Sequence, residues 1–192
     1  MAKATFFMGI PCTGKTTHRN KHHKGDFVLS RDDLREKIIA EHELEYHQLF
    51  ISPDRGERKP HPVLGAVTRS GKYERVEKAN KDLDELFQLY MKGAINELFS
   101  GRDVVIDLLN VTVAERKEYI EAFGSIDGVE LHAKTFEFKS QMELIHKLNA
   151  ARCEQGKMIP KGIIEHFAKV FEKPIANEGF VSVEHINGLD KE

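Results

Sequence analysis

The sequence predicts an α/β fold built on a mainly parallel sheet of five strands. Three observations carry that prediction: five short apolar runs, stretches of helical period between them, and a glycine-rich turn closing the first run. Thr5-Phe6-Phe7-Met8 is apolar on both faces, as a buried parallel strand must be, and it ends at Gly9. A helix can begin at Lys15 and run to Lys21. Phe27-Val28-Leu29 is the second strand, ended by Ser30. Asp32 and Asp33 open a helix through Ala40 whose apolar side is Leu34, Ile38 and Ile39.

Residues 52–72 break the pattern. Pro53, Pro60 and Pro62 alternate with Gly56, Gly65 and Gly71, which predicts a loop or small insertion. A helix over 73–99 follows, with Leu83, Leu86, Phe87, Tyr90, Ala94 and Leu98 near helical spacing and Gly101 beyond its end. Val104-Val105-Ile106 is the third strand and stops at Asp107. Thr112 and Glu115 make a capping-box pattern for a helix through Phe123. Residues 131–138 are the fourth strand and 142–152 a helix. Pro160 suits the first turn of another helix, in which Ile163, Ile164, Phe167, Val170 and Phe171 share a face. Residues 180–183 are the fifth strand. One domain over 1–192 is expected, without internal repeats.

Bulk properties narrow the function classes. At 40% hydrophobic and 31% charged residues the composition is that of an ordinary globular chain. No apolar run approaches the roughly 20 residues that span a bilayer, so no membrane role is expected. Met1 to Phe6 runs into the first strand without the shape of a signal peptide. Cys12 and Cys153 lie far apart, which argues against a disulfide framework and for a reducing cytoplasmic setting. The net charge of −2 means that any nucleic-acid surface must be a local patch. The ten histidines show no ligand spacing, and His22-His23 reads as solvated surface.

Gly9-Ile10-Pro11-Cys12-Thr13-Gly14-Lys15-Thr16 is a complete P-loop, set between a strand and a helix as the motif requires. Gly9 and Gly14 let the backbone wrap phosphate oxygens, and Thr13, Gly14, Lys15, Thr16 and Thr17 present amides at the helix N-terminus. Lys15 supplies a point charge for the β- and γ-phosphates, and the Thr16 hydroxyl can bind Mg²⁺. ATP and Mg²⁺ are the expected cofactors, in a P-loop NTPase three-layer fold. Cys12 reads as a small residue that fits the turn.

Ligands of open α/β sheets sit beyond the carboxyl ends of the strands, where Ser30-Arg31-Asp32-Asp33-Leu34-Arg35 follows the second strand. A carboxylate there can accept the proton of an attacking hydroxyl, and an arginine one turn later can hold an anionic group on the acceptor. Asp32 is the expected base and Arg35 the expected acceptor contact. One of the two aspartates is expected to cap the helix.

The P-loop followed by Arg31-Asp32-Asp33-x-Arg35 resembles the kinase domain of the bacteriophage and bacterial polynucleotide 5′-kinases. The resemblance implies Asp32 as general base and Arg35 on the substrate's phosphate. Asp107-Leu108-Leu109-Asn110 is similar to that family's Asp-x-Thr-Asn element, with Leu109 in place of threonine. It implies a Walker-B-like part for Asp107, near Mg²⁺ or Thr16. Asn149-Ala150-Ala151-Arg152 resembles the family's lid, here 140–160, and implies that Arg152 stabilises the γ-phosphoryl group. A second basic lid residue falls on Leu148, or on Lys147 if the register slips. No phosphatase domain follows, so a kinase alone is expected.

The expected function is therefore ATP-dependent phosphoryl transfer to a nucleic-acid hydroxyl, most directly the 5′-OH of DNA or RNA. Alternatives are a phage DNA-modification kinase acting on a hydroxymethylated base such as 5-hydroxymethyluracil, a small-metabolite kinase, or a nucleotide switch without an acceptor. The Asp32–Arg35 pair argues against the last. Between Arg55 and Lys78 seven lysines and arginines face three acidic residues, a stretch that could hold a nucleic-acid backbone, with Tyr73 stacking on a base.

Overall fold

Apart from Lys3, every residue of the first strand, β1 (Ala2–Met8), is buried, because β1 is the middle of the sheet. The structure is a computed structural model and describes residues 1–46, 49, 72–187 and 189, with backbone alone at 72–74. The remaining strands are β2 (Phe27–Ser30), β3 (Val104–Asp107), β4 (Val129–Phe136) and β5 (Ser182–Ile186). They lie in the order β2-β3-β1-β4-β5, and all four pairings are parallel. Ala4 is paired with Val104 on one side and with Leu131 on the other.

Helices α1 (Lys15–His22), α2 (Arg31–His42), α3 (Lys72–Phe99), α4 (Val113–Gly124), α5 (Met142–Ala151) and α6 (Lys161–Val170) connect these strands. Phe6 and Phe7 point to opposite faces of β1, as adjacent strand residues must. Phe6 meets Phe123 of α4 at 6.1 Å between ring centres and Phe180 at 5.5 Å. Phe7 meets Phe136 at 5.3 Å and His18 of α1 at 5.6 Å. Both faces are thus covered, giving the three layers expected from the sequence. The main core joins Phe6 to Leu29, Leu34, Leu83, Phe87, Ile106 and Leu131. A second cluster, Ile10, Phe138, Ile145, Ile159 and Ile164, packs α5 and α6 against the glycine-rich loop.

Three strands differ in extent from the sequence expectation, and the first of them, β1, begins at Ala2 rather than Thr5. β4 starts and ends two residues earlier, and Phe138 serves the second cluster instead. β5 begins at Ser182, and Phe180 is buried beneath β1 just ahead of it. The aromatic residue made this stretch look like strand, although its burial comes from the core under the sheet. The cap of α2 also differs: Ser30 Oγ accepts the Asp33 amide at 3.2 Å, so neither aspartate is spent there. The capping box of α4 forms as expected, with Thr112 and Glu115 exchanging bonds at 3.2 and 3.1 Å. The loop expected at 52–72 lies outside the described residues up to position 71, as do Arg55, Arg58, Lys59 and Arg69 of the basic stretch and the Tyr73 side chain; Lys72 instead opens α3, and Arg75 and Lys78 are exposed on it.

Candidate active site

The chain leaves β1 at Gly9 and enters α1 at Gly14, which holds φ 88° as the N-cap. Cys12 also has a left-handed backbone, at φ 65°, a conformation that costs a non-glycine residue about 1–2 kcal/mol. Thr13 is buried and its hydroxyl donates to the Ile10 carbonyl at 2.9 Å, tying the loop to itself. No acidic residue occupies the first turn of α1, and Thr16 and Thr17 are exposed there. The positive end of this helix is therefore open to an anion.

Lys15 Nζ donates to the Gly9 and Ile10 carbonyls at 2.6 and 3.0 Å, so the ammonium sits inside the bend of the loop. Burial pushes it below the ordinary lysine range, while Asp107 and Asp32 pull it back up. An anion in the loop would restore the balance of charge. A loop of this shape, with a cation folded into it and a helix end facing out, is fitted for a polyphosphate.

Asp107, 9% exposed at the end of β3, accepts a bond from Arg19 Nη1 at 3.0 Å. Burial raises its carboxyl group, and Lys15 and Arg19 oppose that rise. Arg19 also pairs with Asp33 of α2 at 3.0 Å. One guanidinium from α1 thus bridges β3 and α2. Asp107 lies within electrostatic reach of Lys15, and its ion-pair partner is Arg19. Among the described residues no group of three or more His, Cys, Asp or Glu could hold a metal. Mg²⁺ keeps several waters and binds through few protein groups plus phosphate, so the small number of ligating side chains here is compatible with it.

Asp32 faces away from Asp33. Its Oδ1 accepts from Arg35 Nη1 and lies 3.4 Å from the Tyr46 hydroxyl. The same hydroxyl is 3.4 Å from Arg35 Nη1, and the guanidinium carbon sits 5.7 Å from the centre of the Tyr46 ring. Burial raises the Tyr46 phenol above its ordinary range, so it stays protonated at neutral pH. Arg31 turns outward instead, pairing with Asp84 and lying over Phe87 of α3.

Arg152 follows α5 at the start of a short 3₁₀ turn, and its Nη1 donates to Cys12 Sγ at 3.4 Å. It lies within electrostatic reach of Lys15, Asp32 and Tyr46. Lys15, Asp32 and Arg152 thus lie within electrostatic reach of one another, and Arg35 joins them through Asp32. Lys147 pairs with Glu143 at 2.8 Å on its own helix, and Leu148 is 40% exposed. The Lys157–Glu36 ion pair joins the end of the α5 segment to α2 beside a cleft of about 360 Å³, which Tyr46, Ile39 and Leu44 also line.

Arg19 and Tyr46 were not anticipated. Arg19 stands among lysines and histidines and reads as surface, and nothing local marks its partners, 14 and 88 residues away. Tyr46 follows α2 in an irregular stretch that carries no motif. The cap at Ser30 was legible, since serine followed three residues later by an acid is a helix-start signal.

A sequence profile of the AAA domain family matches residues 5–174. A curated relative, the bifunctional polynucleotide phosphatase/kinase of Schizosaccharomyces pombe, is 30% identical over 116 residues. That match covers 59% of this chain and 27% of the relative, so the chain spans about a quarter of that protein. Among solved structures, a kinase candidate from Chloroflexus aurantiacus superposes with a TM-score of 0.61 at 16% identity, over 96% of this chain and 84% of that one. A chain of the PezAT toxin–antitoxin system of Streptococcus pneumoniae gives 0.55 at 15%, over 98% and 68%. At these identities the structures speak for the fold alone, a three-layer α/β arrangement on a parallel five-stranded sheet. Among the described residues no helix is long and apolar enough to cross a membrane.

Proposed function

The chain belongs to this AAA domain family, and on that premise we propose that it transfers the γ-phosphoryl group of ATP to a hydroxyl of a nucleic acid, most directly a 5′-OH. The observation that carries the reading is the Asp32–Arg35 pair within electrostatic reach of Lys15 and Arg152. A bare nucleotide switch has no use for a carboxylate paired with a guanidinium within reach of the loop lysine.

In this reading the loop amides and Lys15 hold the β- and γ-phosphates. Asp32 takes the acceptor's proton, and Arg35 holds a phosphate next to the attacking hydroxyl. Arg152, anchored beside Cys12, offsets charge that develops on the transferring group. Mg²⁺, when bound near Thr16 and Asp107, supplies further neutralisation of phosphate charge. The segment 140–160 acts as the lid, since it carries Arg152. The partial identity to a polynucleotide phosphatase/kinase supports a nucleic-acid acceptor.

Labelled ATP offered to 5′-hydroxyl oligonucleotides, to duplexes with hydroxymethylated bases and to a metabolite panel tests the acceptor. Label at 5′ ends is the expected result. Label confined to internal bases or to metabolites would replace the acceptor and keep the chemistry. Asp32→Ala is expected to lower transfer by about 10²–10⁴-fold with ATP affinity unchanged. A fully active variant would remove Asp32 from the role of base.

A further inference from the structure

We infer that Arg116 is a positioning residue for the transfer: its guanidinium clamps the hinge from which the α5–α6 unit presents Arg152 to the phosphate loop. This deepens the proposed function and rests on it, since it takes Arg152 as the group that meets the transferring phosphoryl.

The unit that holds α5 and α6 is joined to the sheet by two stretches of chain that lie side by side. It is entered at Phe138 and left at Phe171, whose ring centres are 5.1 Å apart in an edge-to-face contact. Phe171 packs against the main core and against the cluster at the phosphate loop, so it stands between the two. Each stretch is pinned beside its ring. The Glu137 amide donates to the Ile186 carbonyl of β5 at 2.9 Å, and the Glu172 amide donates to the Val111 carbonyl at 2.8 Å. Two neighbouring attachments of this kind define an axis about which the unit can turn as a body.

Arg116 of α4 is fully buried at the second attachment. Its Nη1 donates to the Glu172 carbonyl at 3.0 Å and to the Asn110 carbonyl at 3.5 Å. Nη2 donates to the Lys173 carbonyl at 3.4 Å and to Glu178 Oε1 at 2.8 Å, and Nε donates to Glu178 Oε2. All five donors of the fork are thus in use. Nη1 alone ties the β3–α4 loop to the chain leaving α6. Glu172 returns the tie, its Oε2 accepting the Val113 amide at 2.6 Å.

Stability does not call for a charge in this place, because apolar side chains of similar volume often replace a buried ion pair without loss. What a planar fork adds is direction: it fixes three carbonyls and a carboxylate at set angles. At a hinge, direction decides where the far end of the unit arrives, and that end brings Arg152 against Cys12. A displacement of about 1 Å in a positioned group costs about a hundredfold in rate.

The test is a double-mutant cycle of Arg116→Lys and Arg152→Ala. It reads kcat and ATP KM with a 5′-hydroxyl oligonucleotide, well below the Tm of each variant. Lysine keeps the charge and loses the fork. Arg116→Lys is expected to lower kcat by about 10- to 100-fold and to change ATP KM by less than about twofold. In the Arg152→Ala background the same change should lower kcat by less than about threefold, because the group it positions is gone. A lowered Tm with native kcat would make Arg116 merely structural and overturns the assignment. Losses that multiply in the double variant overturn it as well.

Amide exchange supplies an arm that needs no transfer. Glu178→Gln keeps the shape of the enclosed carboxylate partner and removes its charge. Exchange is expected to quicken at Glu172 and through α5 and α6, while β1 and β3 keep native protection. Native protection at Glu172 in that variant overturns the clamp. Where Arg116→Lys does not fold, Glu178→Gln takes its place in the cycle. A native chain that labels no acceptor removes the proposed function by itself, and the exchange arm then decides the clamp.

Discussion

At position 9 a methyl group has nowhere to go: a Cβ there would stand 3.0 Å from Thr13 Oγ1 and 3.1 Å from Phe136 Cβ. One neighbour closes the phosphate loop on itself and the other is the end of β4, so neither yields freely. Gly9→Ala is expected to cost about 1–3 kcal/mol in urea unfolding and to weaken ATP binding in the same titration series. Native affinity in that variant would mean that the loop shifts without consequence. His18 makes a different kind of prediction. Its ring lies against Phe7 and Phe136 and receives a bond from Lys134 at 3.3 Å. Burial, then the charges of Lys134, His22 and His23, lowers its pKa from 6.5 to about 4. As pH falls, the unfolded chain takes up the proton first, so stability is complete above about 6.5 and is lost between there and about 4. His18→Gln should therefore lose less Tm than the native chain between pH 7 and pH 4. A native decline in the variant would assign the pH dependence to other groups.

Among the elements, α1, α2 and β3 meet at a single guanidinium. Arg19 is 9% exposed and holds Asp107 and Asp33 at once, which fixes the end of α2 that carries Asp32. Arg19→Met leaves the enclosed Asp107 without its ion-pair partner and is expected to cost about 3 kcal/mol in chemical denaturation, the low end for a broken buried pair, since Lys15 still acts on Asp107 and Asp33 stays half in water. A loss below a tenth of that would mark the bridge as ornamental to stability. This junction also shows where sequence is legible and where it stops. The strands under the site were plain because apolar runs between helical periods are local signals. The phosphate loop was plain because its spacing is local too. Arg19 and Tyr46 depend on which elements the topology brings together, and neither carries a pattern of its own. The fifth strand was misjudged for a related reason: β5 lies at the edge of the sheet, so its residues are mostly exposed and polar, and the neighbouring buried Phe180 drew the boundary toward itself. The sequence reading separated Asp32 from Asp33 only by giving one of them the cap, whereas the partners that separate them, Arg35 and Arg19, required the fold.

Across the whole molecule, the apolar interior among the described residues divides into a large core on one face of the sheet, a small cluster of Phe7, Val105 and Phe136 on the other, and a cluster at the loop. The loop cluster contains five buried side chains among the described residues and joins Ile10 of the phosphate loop to Ile145 of α5 and Ile164 of α6. Asn149 stitches the same unit together, donating to the Ile159 carbonyl at 2.7 Å and accepting its amide at 2.9 Å. A unit this small, held by few contacts, is expected to open more readily than the sheet, and it carries Arg152. Ile164 is fully buried, so Ile164→Ala removes its side chain from the cluster at a cost of about 2–5 kcal/mol, depending on how far the site collapses. The consequence should be local: amide exchange is expected to quicken in α5, in α6 and in the loop around Ile10, while β1, β3 and β4 keep their protection until global unfolding. Uniform acceleration across the sheet would mean that the loop cluster and the large core unfold as one. Local acceleration would instead leave the large core free to stay rigid while the segment bearing Arg152 moves, a division of stability that suits a fold which must admit and release a nucleotide.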